Sequence, residues 1–148
     1  MHDTKIIESA HERHQQNVAQ ANFLNKTAVF DALVKAGVTR VTVDFDGEGD
    51  SGQIENLQAY TGDAPAQWPA VTVECQRAVW NNSRLDAASL PLQEAVETLC
   101  YDYLEQEHGG WENNDGAYGE FTFHVAEQRI ELSFHARFVD SFHTASTF

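Results

Sequence analysis

The chain has 148 residues and a formal net charge of −14, from 23 acidic and 9 basic side chains. So few Lys and Arg argue against direct nucleic-acid binding, which needs cations on phosphates. The same balance is compatible with metal cations, a basic protein partner, mimicry of nucleic-acid charge, or plain solubility.

Hydrophobic residues make up 42%, with nine Phe, four Tyr and three Trp, which is enough for one folded domain over 1–148. No apolar run approaches the ~20 residues of a membrane span. The opening Met1-His2-Asp3-Thr4-Lys5 lacks the basic and apolar regions of a secretory signal. Cys75 and Cys100 sit in apolar patterns rather than in a Cys-x-x-Cys, so both read as reduced core residues of a cytoplasmic protein.

In chain order, the spacing of Ile6, Ile7, Ala10, Val18, Ala21, Leu24, Ala28, Phe30 and Leu33 predicts a helix over 4–36. Its polar middle, Gln15 to Asn22, reads as a break or an exposed stretch. Gly37 stops it, with Val38 as the apolar contact beyond the cap. Val41, Val43 and Phe45 alternate with polar residues as a half-buried strand, and a second strand follows at about 53–60. A turn and loop run to Pro69, and a third strand carries Val71, Val73, Cys75 and Val79. Ser89 reads as the cap of a helix whose stripe is Leu92, Ala95, Val96, Leu99, Cys100, Tyr103 and Leu104.

The last hairpin sets 121–125 against 130–135. A two-residue turn at Glu127-Gln128 would pair Val125 with Ile130, Phe123 with Leu132 and Phe121 with Phe134. His124 would then face Glu131, and His135 would face Glu120. The body spans 38–138, and the tail over 140–148 is expected to fray. The predicted fold is α+β: a mostly antiparallel sheet of about five strands, covered on one face by two helices.

The densest chemistry lies in Asp44 to Gly52, where four carboxylates and three glycines share nine residues. Crowded carboxylates repel unless a cation or partner sits among them. Asp44, Asp46, Glu48, Gly49 and Glu55 match positions 1, 3, 5, 6 and 12 of a Ca²⁺ loop, with Asp50 between. A strand precedes this loop and Ser51 stands where an apolar residue is expected, so it is not an EF-hand. A calcium-type loop on a hairpin and a solvated acidic turn both remain open; the cofactor of the first would be Ca²⁺. The formal G-x-G-x-x-G at Gly47 to Gly52 is flanked by acids and followed by no helix, which opposes a phosphate loop. Gly49-Asp50-Ser51-Gly52 lacks the residues that complete a serine-nucleophile motif.

A second cluster, His108 to Glu120, combines glycines, acids, Trp111 and Tyr118 on a long helix-to-strand connection. It reads either as a functional loop or as a turn whose aromatics plug the core edge. No arrangement of the histidines has zinc-ligand spacing.

Together, Gly49-Asp50-Ser51-Gly52-Gln53-Ile54 and His108-Gly109-Gly110-Trp111-Glu112-Asn113-Asn114-Asp115-Gly116-Ala117-Tyr118-Gly119-Glu120-Phe121 resemble a family of small acidic uncharacterised bacterial proteins, often plasmid- or phage-borne. The resemblance covers roughly residues 30 to 138. It implies no catalytic residue, and it implies a mobile-element accessory role such as interference with host defence.

Two functions are therefore expected. The first is a non-enzymatic acidic module for a protein partner, a basic nucleic-acid-handling complex, using Glu48, Asp50, Ser51, Gln53, His108, Trp111, Glu112, Asp115 and Tyr118. The alternative is a divalent-metal hydrolase with Asp44, Asp46, Glu48, Asp50 and Glu55 around the ion, and His108 or Glu112 as acid or base. The two loops are expected to meet at one end of the sheet.

Overall fold

The computed structural model describes residues 2–48, 51–80, 84–109, 116–136 and 142–148, with side chains over 10–47, 53–80, 84–109, 116–136 and 143–148. Helix α1 runs His2–Lys35 without a break; its polar middle is not interrupted and is exposed or half-buried over 15–20. From Ala21 onward it buries one stripe, Ala21, Asn25, Val29 and Leu33, at the spacing of a single helix face. Gly37 ends it at φ 76°, a backbone that costs glycine little. Val38 N–H donates to the Leu33 carbonyl (3.0 Å) and Gly37 N–H to that of Val34 (3.0 Å), the paired bonds of a Schellman cap. Val38 is buried, as its place after the cap requires.

Strands β1 (Arg40–Glu48) and β2 (Ser51–Thr61) form an antiparallel hairpin. A bulge interrupts it: Asp44 pairs with Asn56 and Phe45 with Ile54, leaving Glu55 as the extra residue. The Tyr101 hydroxyl accepts the Ile54 N–H (2.8 Å) at this bulge. Gly62, at φ 63°, then turns the chain into the short edge strand β3 (Ala64–Ala66). Pro65 is tolerated there because an edge needs fewer donors.

Strands β4 (Thr72–Ala78) and β5 (Leu85–Pro91) make a separate two-stranded sheet. Here Ser89 pairs with Glu74 inside β5 and caps nothing; helix α2 (Leu92–His108) starts after Pro91 with no side-chain cap. The stripe read for α2 is buried residue for residue: Leu92, Ala95, Val96, Leu99, Cys100, Tyr103 and Leu104.

Strands β6 (Ala117–His124), β7 (Arg129–Ala136) and β8 (Phe142–Thr147) complete the main sheet, ordered β3-β2-β1-β6-β7-β8 and antiparallel throughout. The β6–β7 turn takes four residues, Val125 to Gln128, closed by Gln128 N–H to the Val125 carbonyl (3.1 Å), with Gln128 at φ 51°. The pairing is therefore Phe123 with Ile130 and Phe121 with Leu132, two residues from the two-residue-turn register. A shift of two leaves each side chain on its expected face, so the apolar residues still share the core side. The register partners change: His135 faces Tyr118, not Glu120, and His124 faces Arg129, although its Nε2 still reaches Glu131 Oε1 diagonally at 3.3 Å. From Phe142 onward the tail does not fray but pairs as β8, and Phe148 stacks on Tyr103 at 4.4 Å.

The architecture is α+β. One face of the six-stranded sheet carries Val41, Val43, Phe45, Phe121, Phe123, Ile130, Leu132 and Phe134 into a single core with Val29, Phe30 and Leu33 of α1 and the α2 stripe. No helix is long and apolar enough to cross a membrane, among the described residues.

Candidate functional site on the outward face of the sheet

Strand alternation sends the other half of each strand outward, and the register aligns those residues in rows. Gln53, Asp46, Tyr118, His135 and His143 form one row across five strands. Asn56, Asp44, Glu120, Ser133 and Ala145 form the next. Tyr60, Arg40, His124 and Arg129 lie at the far end.

The face is thus polarised. Its cations are held locally: Arg40 stacks over Tyr60 at 4.4 Å, and Arg129 bonds both Glu127 and Glu131. Acids dominate at the Gly47 end. Asp44 and Glu120 stand directly opposite across β1 and β6, a pairing that repels when both are ionised. The Glu120 carboxyl lies above its ordinary range. Partial burial is the first cause and the hydrogen bond and charge of Asp44 come next, with Thr122 and Arg40 pulling the other way. Placing the two carboxyl groups together therefore disfavours the ionised form of Glu120.

Beside them stands a ladder of parallel rings. Tyr118 stacks on His135 (4.8 Å, 8°) and His135 on His143 (4.4 Å, 27°). Ser133 Oγ lies 2.8 Å from His143 Nε2 and 3.3 Å from His135 Nε2.

Of the residues expected at a partner surface, Gln53 and Tyr118 flank Asp46 in one row. His108 lies on the opposite, core side, its ring against Phe134 at 3.7 Å and nearly parallel. Burial lowers its pKa, with Glu107 opposing, which disfavours a charged role there. Glu48 and Ser51 pair through their backbones, and their side chains lie outside the described ones. Asp50, Trp111, Glu112 and Asp115 lie outside the described residues. Gly47 pairs with both Gly52 and Ala117, so the described ends of the two loops do meet at one end of the sheet.

Of the expected metal ligands, Asp44 and Asp46 point outward from β1, and Asn56 donates to Asp44 (3.4 Å). Glu55 sits on the bulge. Among the described residues, no three His, Cys, Asp or Glu side chains are grouped to hold an ion. Sequence reasoning missed Ser133 and His143 here, and it set Glu120 against His135 rather than Asp44. Parity alone sends Glu120 and Ser133 outward, but only the register shows what they face.

A family model matches residues 21–148. The chain belongs to DUF6878, a family of unknown function. The match takes in the whole of the main sheet and α2, and begins where α1 starts to bury its stripe. Among curated proteins and among solved structures, nothing matches the chain.

A second titratable group stands on the helical side. Asp102 of α2 lines a cavity of about 330 Å³ between α1, β4 and α2, and burial pushes its carboxyl up to about 6. The folded protein then binds this proton more tightly than the unfolded chain does. Its contribution to stability is full below the ordinary aspartate range and is lost as pH rises through about 6. Asp102→Asn should therefore stabilise the fold at pH 8, by about 1–2 kcal/mol once partial exposure is discounted, and by less at pH 5. Urea midpoints at the two pH values test this; an equal or lower midpoint for the variant at pH 8 would contradict it.

Proposed function

We propose that the chain is a non-enzymatic binding module whose outward sheet face, which no described element covers, docks a basic protein partner. The observation that carries the reading is the opposed Asp44–Glu120 pair on a face that no described element covers. A Lys or Arg placed between two such carboxylates replaces a repulsion with two attractions. Asp46 lies one row further toward the hairpin end, and by sequence Glu48 and Asp50 continue the acidic run. The net charge of −14 would steer a basic surface toward this pole.

The partner class that suits this pole is a basic nucleic-acid-handling complex. The resemblance to plasmid- and phage-borne proteins supports a mobile-element accessory, acting against a host defence system of that kind. The metal-hydrolase alternative rests on Glu48 and Asp50, outside the described side chains, and gains no support from the described ones.

The test is affinity capture from the native host with wild type and with the triple variant Asp44→Asn, Asp46→Asn, Glu120→Gln. Wild type should retain a basic protein at about 50 mM salt and lose most of it at about 300 mM, since exposed charge is screened over a Debye length of roughly 10 Å or less. The triple variant should bind at least tenfold more weakly. Retention that is indifferent to salt, or undiminished in the variant, sinks the reading.

A further inference from the structure

The cavity beside Asp102 is built from three elements and has a mixed lining. Val18 and Ala21 of α1 and Ala78 of β4 give it apolar walls. Asn22 of α1 and Gln106 of α2 also line it, tied together by Asn22 Nδ2 donating to Gln106 Oε1 at 3.2 Å. At about 330 Å³ it falls within the usual size range of small-ligand sites.

Its electrostatics are one-sided. Asp102 and Glu105 both line it from α2. Asp102 is half-buried, and among the described residues no hydrogen-bond donor or cation contacts its carboxylate. The cation on the lining, Arg77, is turned to Asp86 at 3.5 Å in an exposed pair. The remaining titratable neighbours are Glu97, the thiols of Cys75 and Cys100 and the phenol of Tyr103; burial comes first in pushing up the last three, followed by Asp102 for Cys75, by Glu97 and then Asp102 for Cys100, and by Cys100 and then Asp102 for Tyr103. None of them supplies a positive charge.

A half-buried carboxylate without a donor is costly, and the cost is relieved by whatever brings one. An anion is repelled by Asp102 and Glu105. A bare metal ion leaves the apolar walls unused, and no described group offers it three ligands. A cation carried on a short hydrocarbon satisfies both the carboxylate and the walls. We propose that this cavity binds an organic cation, an ammonium or guanidinium group on a short alkyl chain, with Asp102 as its counter-ion. Such a group could come from a free small amine or from a Lys or Arg side chain of a partner. The site lies on the helical side of the molecule and is independent of the docking face.

Butylguanidinium and butylurea have nearly the same shape and differ in charge, so they isolate the role of the carboxylate. In calorimetric titrations, the wild type should bind butylguanidinium at least tenfold more tightly than butylurea. Asp102→Asn should erase that difference, and Ala78→Leu should abolish binding of both by filling the space. The exposed Glu94→Gln, which changes net charge by the same amount, should leave the preference intact. A tripeptide, acetyl-Gly-Arg-Gly-amide, distinguishes the sources. Equal or tighter binding of the peptide assigns the site to a partner's side chain, and its exclusion assigns the site to a free amine. Equal affinities for the two butyl probes, or a preference that survives Asp102→Asn, overturns the proposal.

Discussion

Gly119→Ala should destabilise the protein by about 2–4 kcal/mol, the upper range for forcing extra volume into a packed sheet. Gly119 sits in β6 between Phe45 of β1 and Phe134 of β7. A Cβ there would stand 2.0 Å from the Ser133 carbonyl oxygen and 2.8 Å from Phe45 Cζ. The phenyl ring could shift, but the carbonyl belongs to the backbone of the neighbouring strand, so relief requires β6 and β7 to part. Alanine would gain roughly 0.4–1 kcal/mol by restricting the unfolded chain, too little to offset the clash. The loss should appear as a drop of about 1–2 M in the urea midpoint, at a slope near 2 kcal/mol/M.

A double variant sharpens the argument. If the ring were the obstacle, Phe45→Leu would rescue Gly119→Ala. Because the nearer atom is backbone, the two losses should roughly add, with no rescue in a double-mutant cycle. A midpoint for Gly119→Ala within about 0.5 kcal/mol of wild type would show that the sheet has slack at this point. The consequence reaches the candidate site, since Gly119 lies between Tyr118 and Glu120 in β6 and Ser133 lies on the strand that would have to move.

This dependence explains which parts of the molecule could be read from the sequence. Periodicity is a local signal. The α2 stripe from Leu92 to Leu104 and the alternation in β1 are legible because each residue's side is fixed by its neighbours in sequence. The parity of the β6–β7 hairpin survived a wrong turn length for the same reason. Strand β5 carries Asp86, Ala87, Ala88 and Ser89, all exposed, so no alternation marked it, and Ser89 imitated a helix cap. In strand β8, His143-Thr144-Ala145-Ser146-Thr147, the half-buried side is carried by the small polar Thr144 and Ser146, so no apolar alternation marked it.

The candidate face was legible only in part. Asp44 and Asp46 drew attention through their crowding in sequence, and their outward direction followed from alternation. Their relation to Glu120 depends on β1 pairing with β6, a contact between segments far apart in the chain. Likewise Tyr118, His135 and His143 form a ladder only once β6, β7 and β8 are in register. No short-range rule supplies such a long-range pairing.

One long-range tie of α1 was silent in sequence for the same reason, and it gives the last expected result. Asn25 is buried at 4% exposure in the middle of α1. Its Oδ1 accepts the Gln76 N–H at 2.6 Å and its Nδ2 donates to the Gln76 carbonyl at 2.9 Å. Both backbone groups of Gln76 thus point away from β5, and Asn25 stands in for a neighbouring strand on that edge of β4. Removing the amide leaves one donor and one acceptor without partners, at about 1–3 kcal/mol each when water cannot reach them.

Water access then decides the size of the effect. Gln76 lines the cavity that holds Asp102, so Asn25→Ala opens space through which water can reach the two groups, and should cost about 1–3 kcal/mol. Asn25→Leu fills that space and keeps water out, so it should cost more, about 3–5 kcal/mol, although leucine is the more hydrophobic residue. Asn25→Asp keeps an acceptor for the Gln76 N–H but sets a carboxylate oxygen against the Gln76 carbonyl, and should not restore the wild-type midpoint. Urea denaturation gives the order, and amide exchange at Gln76 gives the mechanism: protection should fall most in the alanine variant, where water enters. A leucine variant more stable than the alanine one would mean that apolar packing, rather than the two hydrogen bonds, holds α1 against β4.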